Sequence, residues 1–152
     1  MRPSRRHALF TAGAAAAALL PMHEDAFAQP MRAGGDWLAM VKAQHKLIAA
    51  TFDKLLASGS STYLQQRRLQ DLLSYQLTAH SVAEENVLYP KIAEKGLVPE
   101  SDKLYLDQAH AKVMNAELEM MLLHKQGDPG WLDAARRLQT AVLTHAQQDE
   151  EG

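Results

Sequence analysis

Apolar side chains recur every three or four residues along most of the chain after residue 35, which is the spacing of amphipathic α-helices. Capping residues and glycines divide this pattern into four helices, at residues 36–56, 61–95, 99–126 and from 128 onward. The segments between them are short, so neighbouring helices should run antiparallel. The sequence therefore predicts an all-α fold, an up-down-up-down four-helix bundle.

Individual residues mark the ends of these helices. Asp36 is a good N-cap for the first helix, and Asp128 followed by Pro129 opens the fourth. Gly96 ends the second helix. Pro90 lies inside that helix and is expected to kink its last turns.

Ionisable side chains interrupt the inward-facing row of every predicted helix. The four rows are Leu38, Val41, His45, Ile48, Phe52 and Leu55; Leu69, Leu73, Leu77, His80, Glu84 and Val87; Leu106, His110, Val113, Glu117, Met120 and His124; and Trp131, Ala135, Leu138, Val142, His145 and Asp149. Burying imidazoles and carboxylates without partners costs several kcal/mol per group. A bound cation removes this penalty by taking their lone pairs, so the pattern predicts a metal site inside the bundle.

Four of these residues are histidines with a two-fold spacing. Steps of 35, 30 and 35 residues separate His45, His80, His110 and His145. An offset of 65 residues pairs the first with the third and the second with the fourth, as in two helical hairpins built to one plan. The second member of each hairpin has a carboxylate four residues later, Glu84 or Asp149, about 40° away on the same helix face.

Composition narrows the chemistry. The chain has 152 residues, a size that suits one domain. It has no cysteine, so any metal must be bound by nitrogen and oxygen. Its 16 basic and 18 acidic residues nearly balance, which leaves no basic field for a nucleic-acid backbone. No nucleic-acid partner is expected.

The order of these ligands resembles that of the hemerythrin-like, HHE cation-binding family, from about Asp36 to Glu151. The segment from His80 to Pro90, HSVAEENVLYP, is similar to the HxxxEE…LfP motif of that family. The resemblance implies a non-haem centre of two iron ions with oxo and carboxylate bridges. Its terminal ligands would be His45, His80, His110 and His145, and its bridging carboxylates would be Glu84 and Asp149.

One position departs from the oxygen-carrying members of that family, and one bridging ligand has an alternative. Met114 stands where they have a second histidine on the third helix, which leaves an open coordination position on both irons. Asp149 shares the helix face of His145, whereas Glu150 lies about 140° from it, so Asp149 is preferred as the second bridge and Glu150 remains the alternative. Glu117 and His124 are weaker candidates, as a cavity-lining residue and a helix-end cap.

The predicted function is a non-haem di-iron protein that binds oxygen, nitric oxide or hydrogen peroxide for sensing, storage or scavenging. Its imidazole-rich ligand set favours a binding protein over an enzyme, because carboxylate-rich sites suit oxygen activation. The alternatives are a di-iron oxidase or ferroxidase, an iron storage or delivery protein, and a metal-free bundle that serves as an interaction module.

Residues 1–28 have the pattern of an export signal. Arg2, Arg5 and Arg6 precede an apolar run over residues 8–20, and the triplet at 26–28, Ala-Phe-Ala, is a small-x-small cleavage site. The paired arginine resembles the twin-arginine signal, which implies export of a folded domain, residues 29–152, to the periplasm. The run is too short to span a bilayer, so no stable membrane anchor is expected after cleavage.

Overall fold

The structure is a computed structural model that describes residues 36–124 and 130–151. Its helices are α1 (Trp37–Leu56), α2 (Tyr63–Ala83), α3 (Tyr89–Glu94), α4 (Val98–His124) and α5 (Gly130–Glu151). A 3-10 turn at Ala57–Ser60 follows α1, and a π-helical segment at Glu84–Leu88 joins α2 to α3 without a break. The predicted all-α bundle is confirmed, with α2 and α3 forming one of its four rods.

Several predictions fall outside the described residues: the export signal, the start of the domain at residue 29, and the cap formed by Asp128 and Pro129. Within residues 36–124 and 130–151, no helix is both long and apolar enough to cross a membrane.

The helix ends follow the capping residues of the sequence. The Asp36 carboxylate accepts a hydrogen bond from the Ala39 backbone N–H at 3.0 Å, which caps α1. Thr62 and Gln65 form a reciprocal capping box at the start of α2. Beyond α3, Gly96 has a φ of +87°, a left-handed conformation that glycine adopts without a steric penalty.

The π-helical segment reflects the proline that follows it. Pro90 has no N–H and its ring crowds the carbonyl four residues earlier, so a regular α-helix is disfavoured here. The Tyr89 N–H donates instead to the Glu84 carbonyl, five residues back. This wider turn brings Tyr89 fully inside and leaves Val87 47% exposed. The predicted inward position of Val87 is therefore wrong, because the prediction assumed an unbroken α-helical period.

Apolar side chains fill one end of the bundle and polar side chains are buried at the other. The apolar core includes Phe52, Leu73, Leu118 and Leu138, all fully buried. The buried ionisable residues lie at the opposite end, on the first half of α1, the end of α2, the start of the π-helical segment and the end of α5. The predicted rows of α1 and α5 are correct, since every member from Val41 to Leu55 and from Trp131 to Asp149 is buried.

Helix α4 presents the opposite face from the one predicted. The predicted row is exposed throughout: Leu106, His110, Val113, Glu117, Met120 and His124. The buried row is Leu104, Gln108, Ala111, Leu118 and Leu122. Both faces carry apolar residues. The predicted row would bury three ionisable side chains, His110, Glu117 and His124, whereas the five buried positions just given include one polar side chain, the amide of Gln108. Desolvation therefore favours the observed rotation.

Candidate metal centre

Five of the six predicted ligands meet at the polar end of the bundle. His45 comes from α1, His80 from the end of α2, Glu84 from the start of the π-helical segment, and His145 and Asp149 from the end of α5, and all five are buried. We call these five residues the cluster. One ligand atom from each of His45, His80, Glu84 and Asp149 lies within 4.8 Å of the others. His145 Nε2 lies 3.3 Å from Asp149 Oδ2 and 3.8 Å from Glu84 Oε2.

His110 is not part of the cluster. Its side chain is exposed on the outer face of α4, so the inward position predicted for it is wrong. Gln108, two residues earlier and about 200° around the helix, points inward in its place. Glu117 is exposed too, so the expectation that it lines a cavity near the metal is also wrong.

Partners outside the cluster orient two of its imidazoles. His45 Nδ1 lies 2.8 Å from Glu150 Oε1, and His80 Nδ1 lies 2.9 Å from Gln44 Oε1. Both partner oxygens are acceptors, so each Nδ1 carries the proton and each Nε2 keeps its lone pair. This is the arrangement in which a histidine binds a metal through Nε2 while its other nitrogen is held by an acceptor.

The two free nitrogens face each other. His45 Nε2 lies 3.1 Å from His80 Nε2 in the buried interior. Two lone pairs cannot form a hydrogen bond with each other, so this approach needs a positive charge between or beside them. Burial lowers the pKa of His80 to about 4. The charge of Glu84 opposes this shift, whereas the charges of His45 and His145 add to it. His80 is therefore a neutral imidazole at neutral pH, with its Nε2 lone pair available to a metal ion.

The carboxylates supply the negative charge of the site. Glu84 Oε1 lies 3.3 Å from His80 Nε2 but has no hydrogen-bond donor among the described residues. Both oxygens of Asp149 are buried without a donor in the same part of the chain. Buried acceptors of this kind fit a cation, and two imidazoles with two carboxylates form a ligand set typical of a transition metal.

The sequence prediction missed two residues that contact the cluster. The Tyr89 hydroxyl donates to Glu84 Oε2 at 3.0 Å and lies 2.8 Å from His145 Nε2. The Gln108 amide donates to Glu84 Oε2 at 2.7 Å and to the Tyr89 oxygen at 3.0 Å. Pro90 was a signal for the irregular turn that brings Tyr89 inward. No local pattern marked Gln108, because its orientation depends on the rotation of α4.

The two carboxyl groups of the cluster have opposite pKa shifts. Burial, reinforced by the negative charge of Glu84, raises the pKa of Asp149 to about 7. Burial also opposes ionisation of Glu84, but the positive charges of the nearby His145 and His80 and the hydrogen bond from the Tyr89 hydroxyl keep the pKa of Glu84 below its ordinary value. Glu84 is therefore the carboxylate that remains ionised in the metal-free protein.

The pKa values of three groups near these carboxylates, on His145, Tyr89 and Glu150, are also shifted. Burial opposes protonation of His145, but the negative charges of the nearby Glu84 and Asp149 raise its pKa overall. Burial and the negative charge of Glu84 raise the pKa of Tyr89, so its hydroxyl stays protonated and remains a donor. The hydrogen bond from His45 lowers the pKa of Glu150, which stays ionised as the outer partner of that imidazole.

Comparison with known proteins points to a cation-binding domain. A profile of the family described as Hemerythrin HHE cation binding domain matches residues 37–152. A curated protein of Nostoc sp. (strain PCC 7120 / SAG 25.82 / UTEX 2576), described as a DNA nickase, is 28% identical over 111 residues. Those residues are 73% of this chain but 30% of that relative, so this chain spans less than a third of its length. No solved structure matches the chain significantly.

Proposed function

Because this chain belongs to the hemerythrin HHE cation-binding family, we propose that it is an exported non-haem di-iron protein that binds oxygen, nitric oxide or hydrogen peroxide, for sensing, storage or scavenging. The family and the buried cluster of histidine and carboxylate side chains support metal binding. The identity of the metal, the number of ions and the small ligand are parts of the proposal.

One observation supports the proposal above the others. His45 and His80 each donate a hydrogen bond from Nδ1 to an acceptor, so neither Nε2 carries a proton. These two Nε2 atoms are 3.1 Å apart. A cation beside both nitrogens and the unpartnered oxygens of Asp149 would satisfy all of these buried lone pairs. A purely structural core would not retain this ligand set, because apolar side chains of similar volume would be more stable.

We assign the ligands from these positions. His45 and His80 would hold one iron and His145 the other, with Glu84 and Asp149 shared between them. Iron, when bound, supplies open coordination positions and a change of oxidation state. The protein buries the cluster from bulk water, and the Tyr89 hydroxyl holds Glu84 Oε2 in place.

A di-iron oxidase or ferroxidase is the second candidate. Without His110, the cluster has three imidazoles and two carboxylates, which is closer to the carboxylate-rich sites of oxygen-activating bundles than the four-histidine set predicted from the sequence. Iron storage or delivery is the remaining alternative with the same ligands. DNA nicking is not proposed for this chain, because its formal net charge of −2 gives it no basic field for a phosphate backbone.

The test of metal binding uses a matched pair of histidines. His80→Ala should lower bound iron by at least about tenfold, as expected when a ligand is removed. His110→Ala should retain the iron of the wild type, because that side chain is exposed. Elemental analysis of protein purified without added metal measures both. Equal iron in the two variants would contradict the assignment.

The same preparation separates the candidate functions. Spectral change on adding azide, nitric oxide or hydrogen peroxide to iron-loaded protein is expected for a binding protein. Multiple turnovers of ferrous iron with oxygen would favour the ferroxidase instead. A wild-type protein that takes up no iron would refute both readings.

Export to the periplasm by the twin-arginine pathway is part of the proposal and rests on Arg5 and Arg6. Replacing both arginines by lysine should leave iron-loaded protein in the cytoplasm, because that pathway reads the arginine pair. Cell fractionation with an iron assay measures the result. Undiminished periplasmic protein would indicate the ordinary secretory pathway, with metal acquired after export.

A further inference from the structure

A small cavity lies between α2 and α4, on the side of the bundle next to the cluster. Its volume is about 100 Å³, and its lining consists of Leu77, Thr78, Gln108, Ala111, Lys112 and Asn115. This is room for several water molecules or for a ligand of two or three heavy atoms. We call it the α2–α4 cavity.

The lining of the cavity runs from the surface to the interior. Thr78 and Lys112 are exposed and form its outer part, whereas Ala111 and Gln108 are buried and form its inner part. Gln108 is 5% exposed and its amide donates to Glu84 Oε2 at 2.7 Å. One side chain therefore both lines the cavity and contacts a carboxylate of the cluster.

Next to the cavity, polar side chains of α2 and α4 form hydrogen bonds with one another. Asn115, which lines the cavity, accepts from the Gln70 amide at 3.0 Å and donates to Ser74 Oγ at 2.9 Å. Gln70 is fully buried, and its Oε1 has no donor among the described residues. Apolar side chains fill the core between α1, α2, α4 and α5. The polar lining suits this part of the bundle wall to a hydrogen-bonding molecule.

We infer that the α2–α4 cavity is the access route by which a small polar ligand, of the class of hydrogen peroxide or azide, reaches the metal centre, and that Gln108 is the side chain that separates the two. The inference rests on the proposed function, since it requires a metal in the cluster. Rotation of the Gln108 amide away from Glu84 opens the path, and its return closes the path. Thr78, Lys112 and Asn115 offer hydrogen-bonding groups along the way.

Two substitutions narrow the cavity from opposite walls. Thr78→Trp adds bulk at the exposed outer part on α2, where the apolar core is not disturbed. Ala111→Phe fills the inner part from α4. The matched control is Ala109→Phe, which adds the same side chain to the exposed, opposite face of α4. Iron content and thermal unfolding of all three are compared with those of the wild type before any kinetic measurement.

The probe is azide, and stopped-flow absorbance of the iron-loaded protein measures its association and dissociation rates. A narrowed route raises the barrier in both directions without changing the bound state. Thr78→Trp should therefore slow both rates by about tenfold or more, with equal iron and an unchanged equilibrium Kd, and Ala111→Phe should do the same where it folds. Ala109→Phe should match the wild type.

The outcomes separate this inference from the proposed function. Unchanged azide rates in Thr78→Trp, in a protein that binds iron and azide as the wild type does, would overturn the access route alone. A weaker Kd with an unchanged association rate would also overturn it, because that result indicates damage to the metal centre. Wild-type protein that binds iron but no azide, or no iron, would overturn the proposed function and the route with it.

Discussion

The two halves of the cluster share one sequence pattern but differ in their surroundings. His80 and Glu84 on one side, and His145 and Asp149 on the other, are four residues apart, and each pair has a nitrogen–oxygen distance of 3.3 Å. Around His80, Gln44 holds Nδ1 and leaves Nε2 free. Around His145, Nδ1 is buried without a partner among the described residues, and Nε2 lies 2.8 Å from the Tyr89 hydroxyl.

This difference shows that a repeated motif does not guarantee equivalent surroundings for its two copies. The His80 half has a second imidazole, His45, whose outer partner is Glu150. In the part of the chain that the structure describes, the His145 half has no such imidazole, because His110 is exposed, and the Tyr89 hydroxyl and Gln108 amide lie near Glu84 instead. We therefore expect one strong and one weaker metal position, and the following experiments test that difference.

The largest effect is expected from the carboxylates on α5. Asp149→Ala should lower the affinity for iron by at least about a hundredfold, because it removes a side chain shared by both halves. Glu150→Ala should lower it by about tenfold, as expected for the outer partner of a ligand histidine. Titration of metal-free protein with ferrous iron under nitrogen measures both. A larger loss in Glu150→Ala would make that residue the bridge.

A titration of the wild type tests the two halves directly. The first equivalent of metal should bind at least about tenfold more tightly than the second, because within residues 36–124 and 130–151 the Nδ1 atoms of His45 and His80 have acceptors and that of His145 has none. Cobalt(II) gives an absorbance signal for each step. Two equivalents of equal affinity would show that the halves are equivalent despite their different hydrogen bonds.

The outer partner of His80 offers a finer test. Gln44→Leu should lower the affinity for the first, more tightly bound metal equivalent by about tenfold and leave the affinity for the second nearly unchanged. The reason is that the Gln44 oxygen contacts His80 alone within the cluster. Gln139→Leu, on the distant part of α5, is the control, since Gln139 contacts Asp53 and no ligand. Equal weakening of both steps by Gln44→Leu would mean that the two halves are coupled rather than distinct.

The smallest effect concerns pH and the two carboxyl groups. The pKa of Asp149 is raised from 3.8 to about 7, so the stability contributed by its protonated form is full below 3.8 and is lost as the pH rises through about 7. Metal-free wild type should therefore gain stability over metal-free Asp149→Asn as the pH falls from about 7 toward 4, by roughly 5 °C or more in Tm. Thermal unfolding followed by circular dichroism measures the difference.

The control for this pH dependence is Asp133→Asn, at an exposed position on the same helix. Its Tm should follow that of the wild type across the same pH range. Parallel curves for the wild type and Asp149→Asn would mean that Asp149 ionises as readily in the folded protein as in the unfolded one.

The sequence alone determined the helices and the inward position of five of the six proposed ligands. The helix ends were predicted from capping residues, Asp36 at the start of α1 and Gly96 after α3. The inward faces of α1 and α5 were predicted because one face of each helix is clearly more apolar than the other. On such helices, hydrophobic burial permits a single orientation, so His45, His145 and Asp149 could be placed inside before the structure was known.

Only the tertiary structure decided the rotation of α4 and the course of the chain through the π-helical segment. Both faces of α4 carry apolar residues, so its orientation depended on the total cost of burying His110 and Glu117 against that of burying Gln108. The wide turn before Pro90 then brought Tyr89 to Glu84. The rotation of α4 arises from packing between helices distant in sequence, which the period of a single helix does not encode. Pro90 indicates an irregular turn from the sequence alone, but only the fold shows that this turn places the Tyr89 hydroxyl beside Glu84.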